Sequence, residues 1–161
     1  MKKKNLSQYS AVSGNVSDFN IAVVVSEWNE EVTFALRDGA IDTLKKEGIA
    51  ESNIKVYTVP GSFELPTAAD MILSDNETID AVICLGCVIQ GETRHFDFIC
   101  DAVANGIMRV SLDYGVPVTF GVLTCNTMEQ ALARSGGAHG NKGVEAAATC
   151  LKMIQLQRKL H

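Results

Sequence analysis

Ala81-Val82-Ile83-Cys84-Leu85, followed after a polar turn by Phe96 to Tyr114, is the stretch on which the fold turns. Five apolar residues in unbroken succession, without polar alternation, suit a strand covered on both faces, as in a parallel sheet. The segment beyond the turn has a different period. Ile99, Ala102, Val103, Gly106, Ile107 and Val110 follow steps of three, one, three, one and three, which places a single apolar stripe on a helix. A buried strand feeding an amphipathic helix is the repeating unit of an α/β domain.

Working outward, the same unit recurs. Further Val- and Ile-rich runs at 21–25, 54–59 and 118–123 read as strands buried on both faces. Helical spacing covers 32–47, with Gly48 placed to end it, and 65–73. After the last strand, 128–134 and 144–160 read as two helices joined by the bend Gly136-Gly137-Ala138-His139-Gly140. Strand–helix alternation of this kind predicts right-handed crossovers and a three-layer α/β/α sandwich around a four-stranded parallel sheet. With no repeat or linker, residues 20–161 are expected to form one domain preceded by an arm, 1–19.

The composition agrees with one globular domain: 161 residues, 47% hydrophobic and 20% charged. A net charge of -5 argues against nucleic acid or an anionic membrane as partner. Lys2-Lys3-Lys4 starts like a signal peptide, yet 5–18 lacks the apolar region such a signal needs, so a cytoplasmic protein is expected. The odd number of cysteines, five, points to reduced thiols. Cys84 and Cys87 stand three apart within a strand pattern, on opposite faces, which suits buried thiols better than a redox pair. No acidic or Cys/His cluster suggests a metal.

Ligands of open α/β sheets bind beyond the carboxyl ends of the strands. Trp28, the only Trp, follows the first strand and is either a core aromatic or a platform for a planar ring. Pro60-Gly61-Ser62-Phe63-Glu64-Leu65-Pro66 follows the second, where free helix-start amides and the Glu64 carboxylate can meet a ligand, or Glu64 can simply cap its helix. Gly91-Glu92-Thr93-Arg94-His95 follows the third. A glycine turn entering a helix N-terminus is suited to an anion, and His95 beside it is suited to proton transfer; a cap or a solvated side chain is the bland alternative. Arg134, Lys142 and Glu145 flank the last two helices, either as a phosphate clamp or as charges matched to helix ends. Neither a G-x-x-x-x-G-K-[ST] nor a G-x-G-x-x-G loop is present.

With these residues in view, the sequence from 20 to 158 resembles the lumazine synthase family. Trp28-Asn29, the segments 59–66, 86–97 and 115–124, and Gly140-Asn141-Lys142-Gly143 carry the resemblance together, in order and spacing. It implies a flavodoxin-like fold and a cofactor-independent condensation of 5-amino-6-(D-ribitylamino)uracil with 3,4-dihydroxy-2-butanone 4-phosphate in riboflavin biosynthesis. Trp28 then stacks on the pyrimidine; Ser62, Phe63, Glu64, Cys87, Val88 and Ile89 hold the ring and ribityl chain. Glu92, through its backbone N–H, and Thr93 bind the phosphate, and His95 transfers protons. Phe120 and Arg134 correspond to residues given by an adjacent subunit, Arg134 to the phosphate, and Lys142 and Glu145 to charged groups near the ribityl chain. Gln90 and Arg94 depart from the family pattern, Arg94 by adding a cation near the phosphate.

The resemblance further implies a homopentamer, and the short 136–140 bend suggests a closed icosahedral shell of about 60 subunits. Two other classes compete with an enzyme. A module that only binds a flavin or lumazine has no use for His95, and a purely structural shell protein has no use for polar strand ends.

Overall fold

The structure, a computed structural model, describes Asn5 and residues 7–161. The Lys2-Lys3-Lys4 start of the expected arm lies outside the described residues. In chain order the elements are β1 (Ile21–Ser26), α1 (Glu30–Lys46), β2 (Ile54–Val59), α2 (Leu65–Asp75), β3 (Ala81–Ile89), α3 (His95–Tyr114), β4 (Val118–Cys125), α4 (Met128–Ala133), β5 (Ser135–Gly137), β6 (Gly140–Asn141) and α5 (Lys142–Leu160). Four strands form one all-parallel sheet in the order β2-β1-β3-β4, the flavodoxin-like order, and β5 and β6 pair as a small antiparallel hairpin.

Alternation along the central strands sends side chains to two separate cores. Ile21, Val23 and Val25 of β1 and Ala81, Ile83, Leu85 and Cys87 of β3 meet Leu36 and Leu44 of α1 and Leu151 and Ile154 of α5 on one face. Ala22 and Val24, with Val82 and Cys84, meet Leu65, Ala69, Val103 and Ile107 of α2 and α3 on the other. Cys84 and Cys87 therefore lie on opposite faces, both buried. Each fully buried Leu or Ile contributes roughly 1.5–3 kcal/mol by leaving water, so the two cores dominate the stability of the sandwich. Val16 and Phe19, ahead of β1, are buried in the α1/α5 core as well.

Burial on both faces fails for β2. Val56 and Tyr57 are exposed, and neither end of the strand is fully buried. The cause is position: β2 is an edge strand, and the helices pack over β1, β3 and β4, leaving it beyond their cover. Helix ends follow local chemistry. Gly48, at φ +107°, takes the left-handed turn after α1, where its N–H reaches Lys45 O and that of Ile49 reaches Leu44 O. Gly115, at φ +61°, does the same after α3.

Candidate active site

The carboxyl ends of β1, β2 and β3 open on one side of the sheet, and three local devices set the groups there. Trp28 follows β1 with its N–H bonded to Pro60 O at 3.0 Å. Its ring lies over Gly61 so closely that a Cβ there would sit 2.6 Å from Cε3. At 67% exposure Trp28 is no core aromatic; it presents an open ring face. Asn29 adopts the left-handed conformation at φ 62° to begin α1, and its Nδ2 donates to Cys87 O at 3.2 Å, tying the end of β1 to β3.

After β2, Ser62–Glu64 make a single 3-10 turn leading into α2. Glu64 Oε2 accepts from Gly61 N–H at 2.9 Å, so the carboxylate does cap the turn. Phe63 beside it is more than half exposed, and both line a groove of about 320 Å³ with Val59, Pro60 and Met71. Ser62 is buried instead. Its Oγ lies against Gly86, where a Cβ would be 2.4 Å away, and it has no hydrogen-bond partner. The Cys87 thiol is likewise buried and pushed up to about 12 by desolvation, with a smaller push from Cys125, so Cys87 meets this face through its backbone. Val88 and Ile89 are half-buried at the end of β3.

Beyond β3 the chain turns through Gln90, Gly91, Glu92 and Thr93 into α3. Thr93 Oγ1 accepts from His95 N–H at 3.4 Å, and Arg94, at the N-cap of α3, makes no side-chain cap. Glu92, Thr93 and His95 are all exposed. Arg94 reaches Asp97 at 3.8 Å and lies over the Phe98 ring, which offsets part of its charge.

Phe120 lies elsewhere, and Arg134 stands after β4, close enough to Cys125 at its carboxyl end to act on that thiol. Phe120 pairs with Cys84, five positions before the Ile89–Cys125 pair, about 16 Å back along the strand. It lines a pocket of about 340 Å³ on the β4 edge with Gln130, Arg134, His139, Lys142 and Glu145. Inside it Lys142 Nζ bonds Glu145 Oε1 at 2.8 Å, and Arg134 Nη1 donates to Gln130 O at 3.0 Å. Glu145 Oε2 is buried and has no hydrogen-bond partner among the described residues. Gln130 drew no notice in the sequence, and His139 and Asn141 stood there only as parts of a bend and a motif, without a role of their own. Only Asn141 left a trace of one, as an Asn two residues before Gly143 at a helix start, a capping pattern.

The site residues thus fall into two sets, one at the strand ends and one along an edge. Fold and site define the class: a flavodoxin-like α/β protein with an open face beyond its strands and a pocket beside β4 lined by Arg134, His139 and Lys142. The chain belongs to the 6,7-dimethyl-8-ribityllumazine synthase family, whose model matches residues 18–158. A relative of that name from Cytophaga hutchinsonii is 56% identical over 151 residues, 94% of each chain. One from Porphyromonas gingivalis is 51% identical over 155 residues, 96% of each chain. A third, from Christiangramia forsetii, is 49% identical over 155 residues, 96% of this chain and 92% of the relative.

Proposed function

We propose that the strand-end face of one chain and the β4-edge pocket of a neighbouring copy form the two walls of one active site. The chain is an enzyme of its family, a transferase of riboflavin biosynthesis. Its reaction condenses 5-amino-6-(D-ribitylamino)uracil with 3,4-dihydroxy-2-butanone 4-phosphate to 6,7-dimethyl-8-ribityllumazine, releasing phosphate and water.

On this reading Trp28 stacks on the pyrimidine, Phe63 and Glu64 border it, and the backbone of Ser62 and Cys87–Ile89 follows the ribityl chain. The ring amine adds to the ketone and loses water to give an imine. Phosphate then leaves with a proton taken from carbon, and the second amine adds to the remaining carbonyl and expels a second water as the ring closes. Each step moves a proton, and His95 is the group placed to carry it. Glu92 N–H and Thr93 hold the phosphate from one side and Arg134 from the other. Orientation of two bound reactants supplies much of the acceleration.

The observation that carries the two-wall reading is the place of Phe120, five register positions back from the carboxyl end of β4 in its own chain. A second supports it. An apolar cavity of about 590 Å³ beside the edge pocket is bordered by exposed Phe120, Met108, Leu112 and Met153, an uncovered patch of the sort a partner copy buries. We read the assembly as a homopentamer able to close into a shell, working in the cytoplasm on small molecules, with residues 20–161 as its single domain and 1–19 as an arm. Sedimentation giving a mass near five chains would exclude the shell. Mixing His95→Ala and Arg134→Ala chains tests the shared site: random assembly restores both walls at roughly a quarter of the interfaces. Activity then returns, followed by lumazine fluorescence, whereas no recovery would place each site within one chain.

A further inference from the structure

We propose that Asn141 is a positioning residue for this reaction: its side-chain amide fastens the β5–β6 hairpin to α1 and so fixes Arg134 and Lys142 side by side in the edge pocket. The proposal rests on the reading of that pocket as the wall that holds the phosphate.

Arg134 ends α4 and Lys142 begins α5, with only the hairpin between them. Two like charges brought together repel, so a frame has to hold them before an anion arrives. The backbone supplies part of it: Lys142 N–H donates to Arg134 O at 2.9 Å, and Ser135 pairs with Asn141. Asn141 supplies the rest. Its Oδ1 accepts from Gly143 N–H at 2.8 Å. Its Nδ2 donates to Ser135 O at 3.3 Å, across the hairpin, and to Ala35 O at 3.0 Å, on α1. Its main chain is held too, since both its N–H and its O meet the Ser7 hydroxyl.

Helix capping alone does not explain this amide. A cap needs only the Oδ1 acceptor, whereas both donor bonds point away from α5. Two glycines make the approach possible. A Cβ on Gly39, midway along α1, would lie 2.6 Å from Nδ2, and one on Gly143 would lie 1.9 Å from Leu36 O. Glycine is a poor residue for a helix interior; at 39 its place is accounted for by the amide it admits.

Asn141→Ser separates the two roles, because a serine hydroxyl still caps α5 but cannot reach α1 and Ser135 together. The expected result is a roughly tenfold rise in KM for the sugar phosphate, with kcat and its pH profile within about twofold, because His95 stands on the other wall. In an Arg134→Ala background the same substitution should add almost nothing, as coupled residues require. Hydrogen exchange of the Lys142 amide should accelerate in Asn141→Ser. Gly39→Ala, which crowds the amide from α1, should reproduce the KM rise when residue 141 is Asn and lose it when residue 141 is Ser; it carries the test if Asn141→Ser does not fold. Fully additive effects of Asn141→Ser and Arg134→Ala, or an unchanged KM, would overturn the proposal. Should Arg134→Ala itself leave KM unchanged, the phosphate reading of the pocket fails instead, and unaltered Lys142 exchange then overturns the positioning role separately.

Discussion

Along the strand ends, Trp28, Phe63 and His95 show their side chains to solvent while Asn29, Gly61 and Glu64 fasten the backbone beneath them. Along β4 the order is reversed, and the charged groups bond to one another and to nearby carbonyls before any ligand arrives. The Lys142–Glu145 pair is about a third exposed, and such pairs contribute at most ~1 kcal/mol to stability. Its value lies in orientation. An open, rigid ring platform suits a flat substrate that arrives and leaves, whereas mutually restrained charges suit an anion whose position has to be set. On the function proposed above, chemistry belongs to the first region and grip to the second.

The largest expected effect tests that division directly. His95→Ala should lower kcat on the order of 100-fold, the lower range for a positioned acid–base group, with little change in KM for the sugar phosphate. Unaltered kcat would remove the strand-end face from the chemistry. Arg134→Ala should do the opposite, raising that KM roughly tenfold and changing kcat less. An equal loss in both parameters would merge the two regions into one. Gly61→Ala comes next. The added methyl would lie 2.6 Å from the Trp28 ring, so the ring has to move and KM for the uracil should rise about threefold. Because Trp28 is the only tryptophan, its fluorescence reports the shift, and an unchanged spectrum would show that the platform tolerates the methyl.

The smallest effect concerns thiols. Cys87 lies under the first region and Cys125 lines the second, and desolvation raises both above the ordinary thiol value, Cys87 to about 12. Arg134 draws Cys125 part of the way back. Neither should react with iodoacetamide at neutral pH, Cys100 at the half-buried surface reacting first. As pH rises, Cys125 should be alkylated before Cys87, which mass spectrometry of the peptides resolves; the reverse order would show that Arg134 does not govern the edge thiol. The raised values also set a sign for stability. Burial of the protonated thiols favours the fold below about pH 9, and that contribution is lost as pH climbs toward 12.

Periodicity located each strand of the main sheet and its flanking helices because burial on a fixed period leaves a repeating mark. It stopped β3 at Leu85 and β4 at Leu123, short of Ile89 and Cys125. Gly86 ends the unbroken apolar run, and the β3–β4 register continues through it to Ile89. The exposure of β2 was missed because strand order is a long-range property, although Lys55 and Thr58 within Ile54–Val59 already set it apart from the interior strands. At the strand ends, Trp28, Glu64 and His95 could be read from position alone. Phe120 could not, since it sits within β4 rather than beyond it, and only the family resemblance singled it out. Asn141 was quoted in that resemblance but not recognised for its contacts, because its partner on α1 is 106 residues away.

That separation has a consequence for how the molecule comes into being. Trp28 through His95 leave the ribosome before any of the edge pocket exists, and β1 can pair with β2 and β3 while the rest is still being made. The bond from Asn141 to Ala35 joins a late part of the chain to an early one, a contact that no nascent chain can close until Asn141 has emerged. The proposed grip on phosphate is therefore a property that only the longer chain can acquire. Fragments stalled before Asn141 would carry the open platform without its clasp, and would expose the apolar flank of β4 to whatever they met first.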